Sequence, residues 1–478
     1  MVKFSDLIDG GRIATGGMRD FATGLVSPVL RLGVTGLARA GKTVFITALV
    51  HALLNGTRLP VFEAMAGGRI LRTYLEPQPD DDLPRFAYED HLAALSGEHR
   101  HWPDGTRQIS QLRLTIDYTP RGLIARNFGS GRLHLDIVDY PGEWLLDLPL
   151  LRTDYETWSR TTIAASRKPP RNAIAAEWQA HLATLDPAAP ADEQQALVAA
   201  RLFTDYLARG RRNDVSLSML PPGRFLMPGD LAGSPLLTFA PLDLPQGAGI
   251  ANGSLAALME RRYDAYVSKV VRPFFFGHFA RLDRQIVLVD ALAALNAGQA
   301  AVEDLRNALQ QVLSCFRQGQ NSWSSILFGR RIERIMFAAT KADHLHHTSH
   351  DRLEAIAKEI VTEAMARAEF AGADLGVAAL AAIRATREAT VKQKGEILPC
   401  IAGIPEAGET IGKLTFDGKT EAAIFPGDLP ANPAAVFTEN LEGSLKFVKF
   451  RPPILGPHGF PQIRLDRVLD FLIGDRLA

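Results

Sequence analysis

The sequence predicts an α/β chain: a mostly parallel, six-stranded sheet flanked by helices, carrying one large helical insertion and one small β insertion. Three observations lead there. Apolar strand-like runs alternate with helix-period runs in two blocks, about 29–150 and 285–391, the rhythm of a largely parallel sheet covered on both faces. Between the blocks the spacing is helical. After the second block the text becomes short, turn-rich and strand-like.

Taken in order, "VLRLGVTG" (29–36) reads as a buried strand ending in a glycine turn, and "KTVFITALVHALLNG" (42–56) as a helix closed by Asn55-Gly56. That helix is apolar nearly all round, so it is buried on more than one side. Residues 57–105, with several prolines and the acidic run Asp80-Asp81-Asp82, read as loops and short helices, the acidic run as a solvated loop. "QISQLRLTIDY" (108–118) and "RLHLDIVDYPGEW" (132–144) read as a strand pair joined by a turn near Gly129–Gly131. Strand–helix alternation resumes with strands at "RQIVLVD" (284–290), "RIMFAATKAD" (334–343) and "GVAALAAIRAT" (376–386), and helices near 300–318 and 349–369. "IRLDRVLDFLIGDRL" closes the chain as a helix. The expected division is an N-terminal arm (1–24), a discontinuous core (25–150, 285–391 and 460–478), a mainly helical insertion (151–284) and a β-rich insertion (392–459).

Composition narrows the class. In 478 residues, Lys+Arg and Asp+Glu are 53 each, so no global field draws the chain to nucleic acid or an anionic membrane. No apolar run approaches the roughly 18 residues that span a bilayer, and the N-terminus lacks the pattern of a secretory signal. A cytoplasmic protein is expected, its N-terminal arm packed on the body; an amphipathic contact of that arm with the inner-membrane surface is the minor reading. The two cysteines, Cys315 and Cys400, form neither a disulfide framework nor a zinc spacing.

"GLARAGKT", Gly36, Leu37, Ala38, Arg39, Ala40, Gly41, Lys42 and Thr43, matches G-x-x-x-x-G-K-S/T between a strand and a helix that starts with Lys42, Thr43 and Val44. A chance match is on the order of 10⁻² per chain before that context is counted. Backbone N–H groups of such a loop face phosphate oxygens beside a positive helix N-terminus. Lys42 is expected on the β- and γ-phosphates and Thr43 on Mg²⁺. Asp139 ends an apolar strand and begins D-x-x-G with Gly142. The acid is placed for a Mg²⁺ contact and the glycine N–H for the γ-phosphate. Asp136 competes but lacks the glycine at that distance.

"TKAD" (340–343) follows another apolar strand, as N/T-K-x-D does in guanine-binding proteins. An Asp343 carboxylate accepts from guanine N1–H and the 2-amino group, a donor pair adenine lacks, while the Lys341 stem lies along the base. In "AIRAT", the Ala385 N–H falls where guanine O6 is met, with Thr386 beside it.

These pieces resemble Ras-like, TRAFAC-type GTPases. Longer blocks, among them "LPPGRFLMPGDLAGSPLLTFAPL", "RPFFFGHFARLDRQIVLVDALAALNAG" and "FRPP…IRLDRVLDFLIGD", resemble the YcjX family of bacterial, stress-associated GTP-binding proteins from about residue 25 onward. The resemblance implies a Ras-like core with insertions, GTP/GDP and Mg²⁺ as ligands, and GTP hydrolysis in a stress-associated process. Because the first insertion follows Gly142, a nucleotide switch is expected that meets a protein partner through its insertions. Three positions depart from the small-GTPase pattern. Glu143 stands where a water-orienting Gln is usual, either as its substitute or as a switch anchor. Thr106 is the best-placed switch threonine, with Ser110 as the alternative. Arg39 sits where the guanylate-binding class of large GTPases carries an arginine that resembles a finger supplied in cis. It acts in catalysis, touches nucleotide or a second copy in a nucleotide-dependent dimer, or faces solvent or a local acid. A nucleotide-binding scaffold that barely hydrolyses, and an ATP-using P-loop enzyme, remain the rival classes.

The run "HLHHTSH" (344–350) places His346 and His350 at i, i+4 but shows no partner acid with ligand spacing. A capped, solvated helix start is expected there.

Overall fold

A computed structural model of the chain describes residues 28–36, 39–106, 108–121, 130–212, 217–245, 247, 249–314, 332–370, 372–393 and 395–478. The expected N-terminal arm, Leu37, Ala38 and Cys315 lie outside the described residues. Among those described, no helix is long and apolar enough to cross a membrane.

The main sheet has seven strands: β1 Val29–Gly36, β2 Ile70–Glu76, β3 Ser110–Tyr118, β4 Gly131–Asp139, β5 Arg284–Val289, β6 Arg334–Ala339 and β7 Asp374–Ala379. Their order is β2-β3-β4-β1-β5-β6-β7. β4, β1, β5, β6 and β7 run parallel, while β3 and β2 add antiparallel at one edge. The expected strand pair is therefore present as β3 and β4. The expected strand 132–144 ends at Asp139, and Gly142–Arg152 coils instead into a buried 3-10 helix.

β2 corrects the six-strand expectation. Residues 70–76 belong to the sheet, not to a loop, because an edge strand buries only part of one face and its text does not alternate cleanly. Leu71 is 59% exposed, and the register shifts between Ile70 and Arg72. Charge fixes this edge, with Asp117 of β3 accepting from Arg72 (3.0 Å) and Arg132 (2.8 Å).

Alternation along the central strands sorts their side chains to two cores. Ile286 and Leu288 face one, shared with the helix Lys42–Leu54 and the closing helix Leu465–Ile473. Val287 and Val289 face the other, shared with the helices Gln299–Ser314 and His350–Phe370. This second core continues without a break into the helices Tyr155–Ser166, Arg171–Leu182, Glu193–Gly210 and Leu255–Tyr266. Trp158 is its aromatic hub, stacked on Tyr263 at 5.1 Å and edge-on to Phe239 and Phe203. Beyond β7, strands β8 Arg387–Gln393 and β9 Glu396–Gly403 pair antiparallel, and Ala422–Ile424 adds on the far side of β9. Strand text thus resumes at 387, earlier than residue 392. Cys400 is buried within β9.

Candidate functional site

Five parallel strands end at one edge, and the segments leaving them hold nearly every motif of the sequence. Register puts Val34 of β1 beside Asp139 of β4, Gly36 beside Leu288 of β5, Val289 beside Ala339 of β6, and Ala339 beside Ala379 of β7. Carboxyl ends of parallel strands are where open α/β sheets bind ligands.

The loop after β1 is tight for two separate reasons. A Cβ at Gly36 would lie 2.8 Å from the Leu288 carbonyl oxygen and 3.0 Å from the Ala40 Cβ, so a side chain there would push β1 off its neighbour. Gly41 has open space around its missing Cβ but φ +80°, a left-handed conformation only glycine adopts freely. Arg39 takes the same region at φ 63°. Ala40 is buried, and Val44 packs on the core shared with the helix Lys42–Leu54.

Lys42 is buried and donates to the Gly36 carbonyl at 3.1 Å, folding its ammonium back over the loop. The Thr43 hydroxyl donates to the Asp104 carbonyl at 3.3 Å and lies 3.5 Å from the Thr106 hydroxyl. Thr106 donates to Asp139 Oδ2 at 2.7 Å. Three residues separated by 63 and 33 positions thus share one spot. Ser110, the rival for Thr106, is a buried β3 residue paired with Asp139 across the backbone register. Asp136 is instead clamped by Arg113, at 2.6 and 2.7 Å.

These oxygens fit a hard divalent cation. Two hydroxyls and a carboxylate are the ligand class of Mg²⁺, and the second Asp139 oxygen, Oδ1, is buried with no hydrogen-bond partner in the structure. Burial pushes the Asp139 carboxyl up to about 6, against the lowering effects of the Lys42 charge and the Thr106 hydrogen bond. A cation at Oδ1 would offset that penalty.

Past Gly142, the 3-10 segment is bolted to the helical region. Glu143 is buried, its Oε1 lying 2.6 Å from the Arg211 guanidinium at angles short of a hydrogen bond. The Arg224 guanidinium sits over the Trp144 ring, and Trp144 donates to the Met227 carbonyl at 3.0 Å. Asp147, buried, accepts from the Gly223 N–H (2.6 Å) and the Tyr266 hydroxyl (2.5 Å). Gly223 is required here, since a Cβ would fall 1.9 Å from the Glu143 carbonyl oxygen.

At the far end of the edge, Lys341 is left-handed (φ 61°) and its ammonium pairs with Asp290, whose other carboxylate oxygen caps the helix Ala291–Asn296. Asp343, 5% exposed, accepts from the Ala385 N–H at 2.9 Å through its side chain and from the Thr386 hydroxyl at 2.5 Å through its carbonyl. Between the two ends lies a cavity of about 390 Å³, lined among others by Arg39, Glu143, Arg211, Asp290, Lys341 and His344.

The sequence profile of the YcjX-like family, DUF463, matches residues 30–477. The chain belongs to that family. It is 39% identical to the Ras-like GTPase YcjX of Escherichia coli strain K12, over 94% of this chain and 96% of that protein. It is 37% identical to the Ras-like GTPase YcjX of Shewanella oneidensis strain MR-1, over 94% of each.

Within this YcjX-like chain the structure gathers all the described candidate residues at one sheet edge. It also adds three that the motifs did not reveal: the Asp104 carbonyl, Asp290 and Arg211. Asp290 had a faint signal, an acid ending an apolar strand in the same way as Asp139. Arg211 and the Asp104 carbonyl had none, because each reaches the site from a loop or helix end of unremarkable text.

Proposed function

We propose that this protein binds GTP with Mg²⁺ and hydrolyses it to GDP and phosphate. One observation carries the reading: a phosphate loop, a hydroxyl–carboxylate cluster and a buried Asp with an adjacent backbone N–H share the carboxyl edge of one sheet, where Arg39 of the first motif and Lys341 of the last line one cavity. The names of the two relatives agree with it.

In this reading Thr43, Thr106 and Asp139 hold Mg²⁺, which when bound neutralises charge on the β- and γ-phosphates. Lys42 leaves the Gly36 carbonyl for the phosphate oxygens, and the Gly142 N–H meets the γ-phosphate. Loop N–H groups from Gly36 to Thr43 cradle the remaining oxygens. Asp343 takes the guanine N1–H and 2-amino donors, and the Ala385 N–H turns from Asp343 to guanine O6. Lys341, held by Asp290, lies along the base, with Thr386 bracing Asp343. Arg39 and Glu143 flank the cavity where water would attack the γ-phosphorus. Arg211 offsets the Glu143 charge, so this carboxylate can stand in the usual Gln slot without unscreened repulsion of phosphate. Movement of the Gly142–Arg152 segment with the γ-phosphate would pass to the helical region, making the chain a nucleotide switch whose insertions (151–284 and 392–459) meet a protein partner.

The test is base preference. Asp343→Asn should lower GTP affinity by roughly 10-fold or more and raise XTP affinity, since each lost charge-assisted pair costs about 1.5–3 kcal/mol. Equal ATP and GTP affinities in the wild type, or no shift in the variant, would favour the ATP-using class. Single-turnover hydrolysis with and without Mg²⁺ separates the GTPase from a scaffold.

A further inference from the structure

The histidine run after the guanine-loop candidate is not the solvated helix start its sequence suggests, since His346 and His350 are buried. Strand β8 brings Glu388 to it. Glu388 Oε2 lies 3.0 Å from His346 Nε2 and 3.2 Å from His347 Nδ1, and the three donor atoms lie within 4.8 Å of one another. Among the described residues no other three His, Cys, Asp or Glu side chains converge in this way. We propose that His346, His347 and Glu388 form a binding site for a borderline divalent cation of the Zn²⁺ class, clamping residues 343–348 to residues 384–388.

The ligand set selects the ion. Two imidazoles and one carboxylate suit Zn²⁺ and its transition-metal neighbours, whereas Mg²⁺ prefers oxygen alone. Ligands about 2.0–2.2 Å from a tetrahedral Zn²⁺ lie roughly 3.3 Å from one another, and the two measured N···O separations are already close to that. Three protein ligands leave a fourth position for water.

The surroundings hold each ligand in place, as metal sites require. Arg384 binds the other oxygen of Glu388 at 2.6 Å, which turns Oε2 toward the imidazoles. Thr348 bonds the Nδ1 of His346 at 3.0 Å, which leaves Nε2 as the ligand atom. The His347 backbone N–H also points at Glu388 Oε2, at 3.3 Å. The His346 ring is buried and lies 4.2 Å from that of His347, both neutral when they ligate.

The consequence follows from the chain path. His346 is three residues beyond Asp343, and Glu388 is two beyond Thr386, which with Ala385 already bonds Asp343. A cation here would cross-link the two segments a second time. That cross-link does not depend on which base, if any, Asp343 reads.

The experiment uses the full chain, free of nucleotide, titrated with Zn²⁺ alone in a background of excess Mg²⁺. One equivalent should bind. Glu388→Gln and His347→Ala should each weaken it by at least 10-fold. His347 is 64% exposed, so its replacement leaves the fold intact and the result stands if the Glu388 variant misfolds. Co²⁺ in place of Zn²⁺ should give a visible absorption band that both substitutions abolish. Zn²⁺ should slow amide exchange in 342–348 and 384–388. No Zn²⁺ binding in the wild type, or binding unchanged in the His347 variant, overturns the proposal and leaves an ordinary hydrogen-bonded His–His–Glu cluster.

Discussion

Arg39, on a left-handed backbone, lines the same cavity as Glu143 and Arg211. In the proposed GTP reading, a cation there suits charge that appears between the β- and γ-phosphates as the bond breaks. Arg39→Ala is therefore expected to leave GDP affinity nearly intact while single-turnover GTP hydrolysis falls on the order of 10²-fold or more; unchanged turnover would return Arg39 to a contact or surface role. Asp147 makes a second residue-scale case. Burial raises its carboxyl to about 7, with the Tyr266 and Gly223 hydrogen bonds pulling the other way. The native state then keeps a proton that the unfolded chain has lost, so this residue's contribution to stability falls as pH rises from about 4 to about 7 and is level above that. Asp147→Asn should flatten that slope in denaturant titrations across the same range. A slope unchanged by the substitution would mean that Asp147 is ionised throughout.

Among the elements, the 3-10 segment Gly142–Arg152 joins the end of β4 to the helices. Its backbone at Glu143 touches Gly223, its ring at Trp144 carries Arg224, and its acid at Asp147 ties to Tyr266. Gly223→Ala must displace this backbone contact, because a Cβ 1.9 Å from a carbonyl oxygen has no flexible neighbour to yield. We expect a loss of about 1–3 kcal/mol or more, read as a lower denaturant midpoint, together with altered hydrolysis. A fully stable variant would show that the segment can slide. Legibility also divided by element. Strands β1, β5 and β6 and the helix Lys42–Leu54 are buried on both faces, so continuous apolar runs announce them. β2 was missed because an edge strand with an exposed Leu71 and a register shift has no period to read. The cluster of His346, His347 and Glu388 was missed for a different reason: its acid follows 41 residues after His347, and only the packing of β8 against the guanine-loop candidate brings it near.

On the scale of the whole molecule, the helical region and the sheet share one uninterrupted apolar core that runs from Val287 and Val289 through Trp144 to Trp158. Interiors packed this densely transmit displacement rather than absorb it. A γ-phosphate that draws in Gly142 should thus change the accessibility of residues 150–280. Limited proteolysis is expected to cut this region differently with GDP and with a non-hydrolysable GTP analogue, and identical patterns would argue against a switch. What the sequence determined by itself was the local chemistry. A phosphate loop, D-x-x-G and T-K-x-D each need short, contiguous residues with particular side chains and backbone freedom, and strand text places them at strand ends. The tertiary structure decided the rest: that Thr106 reaches Thr43 and Asp139, that Lys341 leans on Asp290, that Arg211 faces Glu143, and that Glu388 closes a histidine pair. Each of these contacts joins residues far apart in the chain. Their proximity comes from sheet register and core packing, which no local spacing encodes.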